Sequence, residues 1–206
     1  MTTALRTQLR MITLVCSFML VSAIADAEMA RYDIDPEHTT IGFSVVHMLV
    51  SNVRGQFMDY SGFIEMAPDG KSLETIEATI KASSINTNHE KRDTHLRSPD
   101  FLDVEKYPIM TYQLKSYRST GNQYTAVGRL TLHGVTKDIT LVGSLIGVTK
   151  DPMGNIRAGF TAEGKINRRD FGINFSKTLD NGGLIVGDEV TIRLDIECMK
   201  SKIGSP

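Results

Sequence analysis

Along most of the chain apolar and polar residues alternate with a period of two, as strands with one buried and one wet face require. Ile41, Phe43, Val45 and His47 fall on one side, and Thr40, Gly42, Ser44 and Val46 on the other. After a turn placed at Ser51-Asn52, Val53, Gly55 and Phe57 continue the pattern, followed by Tyr60, Gly62 and Ile64. Ile76, Ala78 and Ile80 oppose Glu77, Thr79 and Lys81, and Met110, Tyr112 and Leu114 oppose Thr111, Gln113 and Lys115. Residues 124–132, 139–148 and 156–166 carry the same alternation. On the last strand Val190, Ile192, Leu194, Ile196 and Cys198 face in, while Thr191, Arg193, Asp195 and Glu197 face out. Turn signals at Ala67-Pro-Asp-Gly70, Ser119-Thr-Gly-Asn122 and Asp151-Pro-Met-Gly-Asn155 separate the runs.

The alternation stops once, between about residues 83 and 108. Ionisable residues crowd positions 88–98, Asn86 or Asn88 offers a helix N-cap, Glu90 and Asp93 suit a first turn, and Pro99 bars continuation. The pattern predicts one short, solvated helix, lying across a barrel end or over a sheet edge. The fold class is therefore all-β: about eight antiparallel strands joined by hairpin-like turns, as an up-and-down barrel or a sandwich. Glycines inside strand patterns, at 42, 62, 128, 143 and 164, favour the barrel, since such glycines mark bends or bulges where a sheet curls to close. Eight strands leave room for side chains or one small ligand.

With 206 residues and 41% apolar content, the chain suits one domain with a sizeable core. Arg6 and Arg10 precede an apolar run, residues 11–21, and a small-residue stretch with cleavage options after Ala25 or Ala27. Residues 1–27 thus have the form of a signal peptide, too short in its apolar core to span a bilayer. Its removal takes two arginines and Asp26 with it, leaving 21 basic and 23 acidic residues and a net charge near −2. No basic stripe calls for nucleic acid. Cys198 would then be the remaining cysteine, so the core rather than a disulfide must hold the domain, which points to a periplasm.

The five histidines lack the close pairing of zinc ligands, and no Gly-x-Ser-x-Gly elbow occurs. His47, counted with Phe43 and Val45, is either a hydrogen-bonded core histidine or a polar group lining a cavity. Arg97 and Arg168-Arg169-Asp170 could hold an anionic head group or pair with neighbouring acids at the surface. Asp93, Asp100, Asp103 and Glu105 read as a wet face. An outer-membrane barrel fits poorly: there is no Trp, aromatics reach 7%, and charges occupy the would-be lipid face of the last strand.

Eight motifs together resemble the YceI-like family. They are Asp35-Pro-Glu-His-Thr-Thr-Ile-Gly-Phe-Ser-Val45, Val53-Arg-Gly-Gln-Phe57, Ser84-Ile-Asn-Thr87, Lys91-Arg-Asp-Thr-His-Leu-Arg-Ser98, Asp100-Phe-Leu-Asp-Val-Glu-Lys-Tyr-Pro108, Leu130-Thr-Leu-His-Gly-Val-Thr-Lys137, Arg169-Asp-Phe-Gly-Ile173 and Val186-Gly-Asp-Glu-Val190. The resemblance runs in order from about Tyr32 to Lys200. It implies a secreted lipocalin-like barrel over residues 28–206 whose cavity binds an amphiphile, a polyprenyl or quinone-type lipid, with no catalytic, metal or cofactor requirement. Expected partners are that lipid, a second copy of the chain and transient contacts with inner-membrane proteins.

The inward set predicted to bury the tail is Ile41, Phe43, Val45, Phe57, Tyr60, Ile64, Ile80, Met110, Tyr112, Leu130, Leu132, Phe160 and Ile166. Phe101 and Leu102 would form a lid. His47, Arg54, Tyr112 and Arg97 are the polar groups assigned to the head. The alternative is an enzyme or redox accessory acting on such a lipid, with His47 as acid or base.

Overall fold

The computed structural model describes residues 29–67, 72–178 and 184–202. The leader expected at residues 1–27 lies outside them, as do residues 68–70 of the expected turn. Among the described residues, eleven strands form one antiparallel sheet: β1 (Ala30–Ile34), β2 (Thr40–His47), β3 (Ser51–Phe57), β4 (Tyr60–Met66), β5 (Leu73–Lys81), β6 (Ile85–Asn86), β7 (Ile109–Thr120), β8 (Gln123–Leu132), β9 (Val135–Lys150), β10 (Ile156–Asn167) and β11 (Val186–Lys200). One α-helix, α1 (Glu90–Arg97), joins them, with 3-10 turns at Ala82–Ser84 and Arg168–Phe171.

Eight strands close the barrel in the order β1, β4, β5, β7, β8, β9, β10, β11, with Tyr32 to Ile34 of β1 pairing Lys200 to Cys198 of β11 to complete the ring. The other three extend members of that ring. β1 and β2 both run along β11, interrupted at residues 35–39; β3 and β4 run along β2 and β1, interrupted at residues 58–59. β5 pairs β4 and β6 pairs β3, with the 3-10 turn between them. The eight strands expected from the sequence are therefore eight long strands, three of them broken. One end of the barrel carries α1, the β2–β3 turn and the 3-10 turn after β10. The opposite end carries the chain termini of the domain and the turns after β4, β7 and β9.

The first break is held by side chains. Arg157 donates to Asp35 and Glu197, each at 2.6 Å, and to Asp151 at 3.0 Å, tying three elements to one guanidinium. The Thr39 hydroxyl donates to the Glu197 carbonyl and accepts from its N–H, and the Tyr60 phenol donates to the Thr39 carbonyl at 2.5 Å. Hydrogen bonds from Asn155, then Arg157, hold the Asp151 carboxyl at about 2, below the usual carboxylate range. Because the folded value lies below the unfolded one, near 3.9, the stabilisation is present above about pH 4 and disappears as pH falls toward 2. Thermal melts across that window should fall more steeply for the wild type than for Asp151→Asn; parallel curves would remove Asp151 from the acid response.

The turn expected at Ser51-Asn52 lies three residues earlier. Met48 and Leu49 both have positive φ, 52° and 64°, and the Val50 N–H donates to the His47 carbonyl, as in a type I′ turn. Bulky apolar residues adopt this conformation at a cost of about 1–2 kcal/mol each. Leu49 is also 65% exposed. Leu49→Gly should stabilise the protein by up to about 1 kcal/mol in urea denaturation, the relief of strain being partly offset by glycine's larger unfolded-state entropy. An unchanged or lower midpoint would show that the side chain contributes through packing instead.

Of the strand glycines expected to mark bulges, Gly128 pairs Leu114 at a register shift, whereas Gly42, Gly62, Gly143 and Gly164 lie away from the shifts, which fall at Glu65/Met66, Leu114/Ser116, Gly159/Phe160 and between Val186 and Val190. Gly128 also leaves room for the hydroxyl end of the Tyr112 ring against the backbone of β8, where any Cβ would strike it. The helix N-cap is His89, whose Nδ1 accepts from Arg92 N–H at 3.2 Å, while Asn88 takes a positive φ and caps nothing. The helix is also less wet than expected. Asp93 is buried, with one carboxylate oxygen accepting from the Thr87 N–H and hydroxyl, which locks α1 to the end of β6.

Candidate functional site

Inside the barrel lies a continuous cavity of about 260 Å³. Period two places its wall: Ile41, Phe43 and Val45 come from β2, Ile76, Ala78 and Ile80 from β5, Met110 and Tyr112 from β7, and Val190, Ile192, Leu194 and Ile196 from β11. Phe57, Ile64, Leu130, Leu132, Phe160 and Ile166 complete the strand contribution expected from the sequence. At the α1 end, Leu96, Phe101 and Leu102 reach the cavity. The chain after α1 curls back beneath it through Leu102 N–H to the Leu96 carbonyl and Val104 N–H to the Arg97 carbonyl, both close to 3 Å. Phe101 stacks on Phe175 with centroids 4.6 Å apart, and the His95 ring meets both edge-on at 5.0 and 5.2 Å. A pair between His95 Nε2 and Asp100 at 2.7 Å fixes that ring. An aromatic cover thus closes the α1 end.

Four of the residues expected at the site lie elsewhere. His47 is one step past the wall on β2, pairing Ser51 and Val186 at the strand's end. Arg54 sits on the outward face of β3 between Val53 and Gly55 and is exposed. Tyr60 turns its hydroxyl into the first strand break. Arg97 donates to the carbonyls of Ser83 and Ile85, both at 2.7 Å, and so staples α1 to the chain before it. A cationic head-group site is therefore not assembled from Arg54, Arg97 and His47.

The inward set expected from the sequence also omits part of the wall. Tyr124, Ala126, Ile139, Leu141 and Ala162 share the inward parity of their strands, so the period-two signal could have found them, whereas Leu73 is out of phase with Ile76, Ala78 and Ile80 across the register shift opposite Glu65/Met66. Leu96, Ile173, Val186 and Arg168 lie off the regular pattern, and no periodicity marks them. Arg168 is the largest departure. It is 4% exposed and donates to the carbonyls of Gly187 (2.9 Å), Ile173 (2.7 Å) and Val186 (3.4 Å) and to the Asp188 carboxylate (2.7 Å). It is neither a surface ion pair nor a free cation.

Polar atoms on the wall are few. The Tyr124 hydroxyl donates to the Thr161 carbonyl at 2.8 Å, and burial raises its pKa. Burial pushes the Tyr112 hydroxyl up to about 12, so it stays protonated at neutral pH. Cys198, fully buried on β11, has its thiol pushed up to about 12 by burial as well, and it donates to the Ala158 carbonyl. That is an inert thiol. Outside the cavity, Asp35, Glu37 and His38 bring ligand atoms within 4.8 Å of one another. Asp35 is already engaged by Arg157 and by His38 at 2.9 Å, so ion pairing accounts for that cluster. The cavity as built offers apolar surface, shielded from water, to an elongated hydrophobic molecule.

Comparison with known proteins agrees with this geometry. The family model for the YceI-like domain matches residues 32–198. Protein YceI of Salmonella newport is 38% identical over 185 residues, covering 89% of this chain and 94% of its own. Among solved structures, the Campylobacter jejuni YCEI protein superposes with a TM-score of 0.68 at 34% identity, over 76% of this chain and 90% of that one. A polyisoprenoid binding domain from Saccharophagus degradans shares the fold at 13% identity, with a TM-score of 0.57 over 84% of this chain and 100% of its own.

Proposed function

The chain belongs to the YceI-like family, and from that premise we propose that it is a non-catalytic carrier, exported to the periplasm, that shelters an isoprenoid lipid or isoprenoid quinone. The observation that carries this reading is the cavity itself: a closed barrel whose wall is apolar from the aromatic cover to the far turns. A protein core is ordinarily packed to the density of an organic crystal. A lined space of this size instead suits a guest. Each 100 Å² of tail buried there contributes about 2.5 kcal/mol before entropy losses, so a few isoprene units suffice for useful affinity. Such a site grips the tail strongly and separates chain lengths weakly.

Entry would pass the cover formed by Phe101, Leu102 and Phe175, which is held by a ring contact between two loops and by a few backbone bonds to the end of α1 rather than by strand pairs. The rival reading, chemistry on such a lipid with His47 as acid or base, draws no support from a histidine that stands outside the wall. A second copy of the chain and transient inner-membrane contacts complete the partners the reading expects.

The test is native mass spectrometry of protein purified from a periplasmic extract without detergent, followed by solvent extraction. A discrete added mass that extracts as a polyprenyl or quinone-type lipid is the expected result. A bare mass, with no uptake when polyprenyl lipids are offered, would sink the carrier and turn attention to protein partners.

A further inference from the structure

Among the described residues, large apolar side chains left exposed stand mostly alone, as is usual on a protein surface. The β2–β3 turn is different. Met48, Leu49 and Val50 follow one another there and are 40%, 65% and 83% exposed, with Val46 of β2 exposed beside them. Packing does not account for Leu49 and Val50, since most of each lies off the protein. The backbone does not account for the turn either: two successive left-handed residues suit glycine or asparagine, and here they are methionine and leucine.

Charge along the chain that forms this turn has one sign. From Thr40 to Met58 there is no carboxylate, and the ionisable residues are His47 and Arg54, the latter exposed on the outward face of β3. The Met48 N–H donates to the Ile185 carbonyl and the Ile185 N–H to the Lys177 carbonyl, so the segment bonded to the turn brings a second exposed cation. The acid of residues 172–187 is Asp180, outside the described residues, and Asp188 is engaged by Arg168 and Arg169. α1, beyond β6, carries both signs. Phe175 of the aromatic cover belongs to the same segment as Lys177, whose Nζ stands 5.8 Å from its ring centre. The apolar turn, two cations and the cover therefore share one end of the barrel.

We propose that the β2–β3 turn is a membrane anchor: Met48, Leu49 and Val50 enter the acyl boundary of a bilayer containing anionic phospholipid, while Arg54 and Lys177 meet the phosphates. Attachment of this kind scales with the apolar area taken from water plus the attraction to anionic lipid, and salt screens the second part. The bilayer covers the surface that folding leaves bare. Docked in this way, the barrel turns its cover toward the lipid, and a guest passing Phe101 and Phe175 meets acyl chains before water. The partner is the lipid surface itself and docking needs no guest, so the anchor goes beyond the carrier reading and either can hold without the other.

The experiment sediments protein purified from a periplasmic extract with vesicles of phosphatidylcholine, with and without an equal amount of phosphatidylglycerol. The wild type is expected to partition onto the anionic vesicles and to be partly released by salt. Leu49→Asn combined with Val50→Thr adds no charge and suits the left-handed position; it should weaken partition about tenfold or more, the scale of withdrawing two aliphatic side chains from burial. Arg54→Gln and Lys177→Gln should each weaken it about fivefold, on anionic vesicles only. Met153→Ser, at a methionine 80% exposed in the turn after β9 at the opposite end, should change nothing. An environment-sensitive fluorophore coupled at Leu49→Cys should shift to the blue with vesicles, and one at Met153→Cys should not; this reading stands even where the double variant folds poorly. No partition of the wild type, equal losses from the turn variant and Met153→Ser, or a fluorophore at position 49 that stays in water would overturn the anchor while leaving the carrier intact. Absent partition together with self-association that the turn variant abolishes would overturn it in favour of a second copy of the chain.

Discussion

Arg168→Met is expected to destabilise the protein by about 3 kcal/mol or more, the range seen when a buried, hydrogen-bonded charge is removed from its partners. The guanidinium fork reaches Gly187, Val186, Ile173 and Asp188, and so binds the end of β10, the start of β11 and the chain after the 3-10 turn to one point. Methionine supplies the volume and none of the donors. Three carbonyls, that of Ile173 buried and those of Gly187 and Val186 partly so, lose this donor, whereas Asp188 keeps Arg169 at 2.8 Å. The damage should therefore follow the carbonyls rather than the ion pair. At about 2–4 °C per kcal/mol for a domain of this size, the melting temperature falls by roughly 6–12 °C. Arg168→Lys separates charge from shape: one ammonium cannot serve four divergent acceptors. A lysine variant as stable as the wild type would show that the charge, and not the fork, holds this end of the barrel.

Ala126→Phe is expected to abolish lipid loading with the fold intact, weakening uptake of a polyprenyl probe by about a hundredfold or more. Ala126 is 1% exposed, lies on β8 opposite Leu141 and Tyr117, and faces the cavity. Enlarging a side chain in a packed core forces strain of about 1–3 kcal/mol. At Ala126 the added ring enters space already enclosed, so burial of its surface offsets the strain and the melting temperature should hold or rise. Circular dichroism melts and mass spectrometry of the same sample give both readouts. A folded variant that still loads lipid to full stoichiometry would place the guest elsewhere.

The parts of the molecule legible in the sequence are those governed by a period. Residues 190–198 alternate without interruption, and the inward set Val190, Ile192, Leu194 and Ile196 does line the cavity. The same parity fails at the strand ends. His47 continues the Ile41, Phe43, Val45 series by count, yet the strand has run past the wall by then. Arg54 suits a head group by its chemistry but not by its parity, and the structure follows the parity. The helix is visible in the charge run and Pro99, but its cap is not: His89 rather than an asparagine supplies the accepting atom, a choice set by the positive φ that Asn88 takes before it.

Other features are illegible for a physical reason. Arg168, Asp93 and Arg157 look alike in sequence to any surface charge. Burial of Arg168 and Asp93 depends on carbonyls and donors that converge only once the strands have paired, and Arg157 gathers carboxylates from three separate stretches of chain. Tyr112 belongs to the inward face by count. That its hydroxyl lacks a partner is a property of its surroundings, which no local pattern encodes.

The three strand breaks lie side by side on β1–β2, β3–β4 and β5–β6, and they divide the wall into two regimes. In the half away from α1, main-chain bonds run unbroken around the circumference, with β1 joining β11 to β4. In the half beside α1, β2 follows β11 and β3 follows β2, but β3 then meets only Ile85 and Asn86 of β6, and no strand pairing joins β6 to β7 among the described residues. The circumference there is completed by α1 and the segment after it. One half is a hoop and the other a hoop with a gate. Widening the first means breaking a ladder of main-chain bonds, while widening the second means separating side chains and a few loop contacts. Hydrogen exchange should accordingly distinguish the halves of β3 and β4, two segments of one long strand: the amides of residues 63–66 in β4, ladder-bound on both sides, exchange on the timescale of global unfolding, and those facing out from residues 51–55 exchange through local opening.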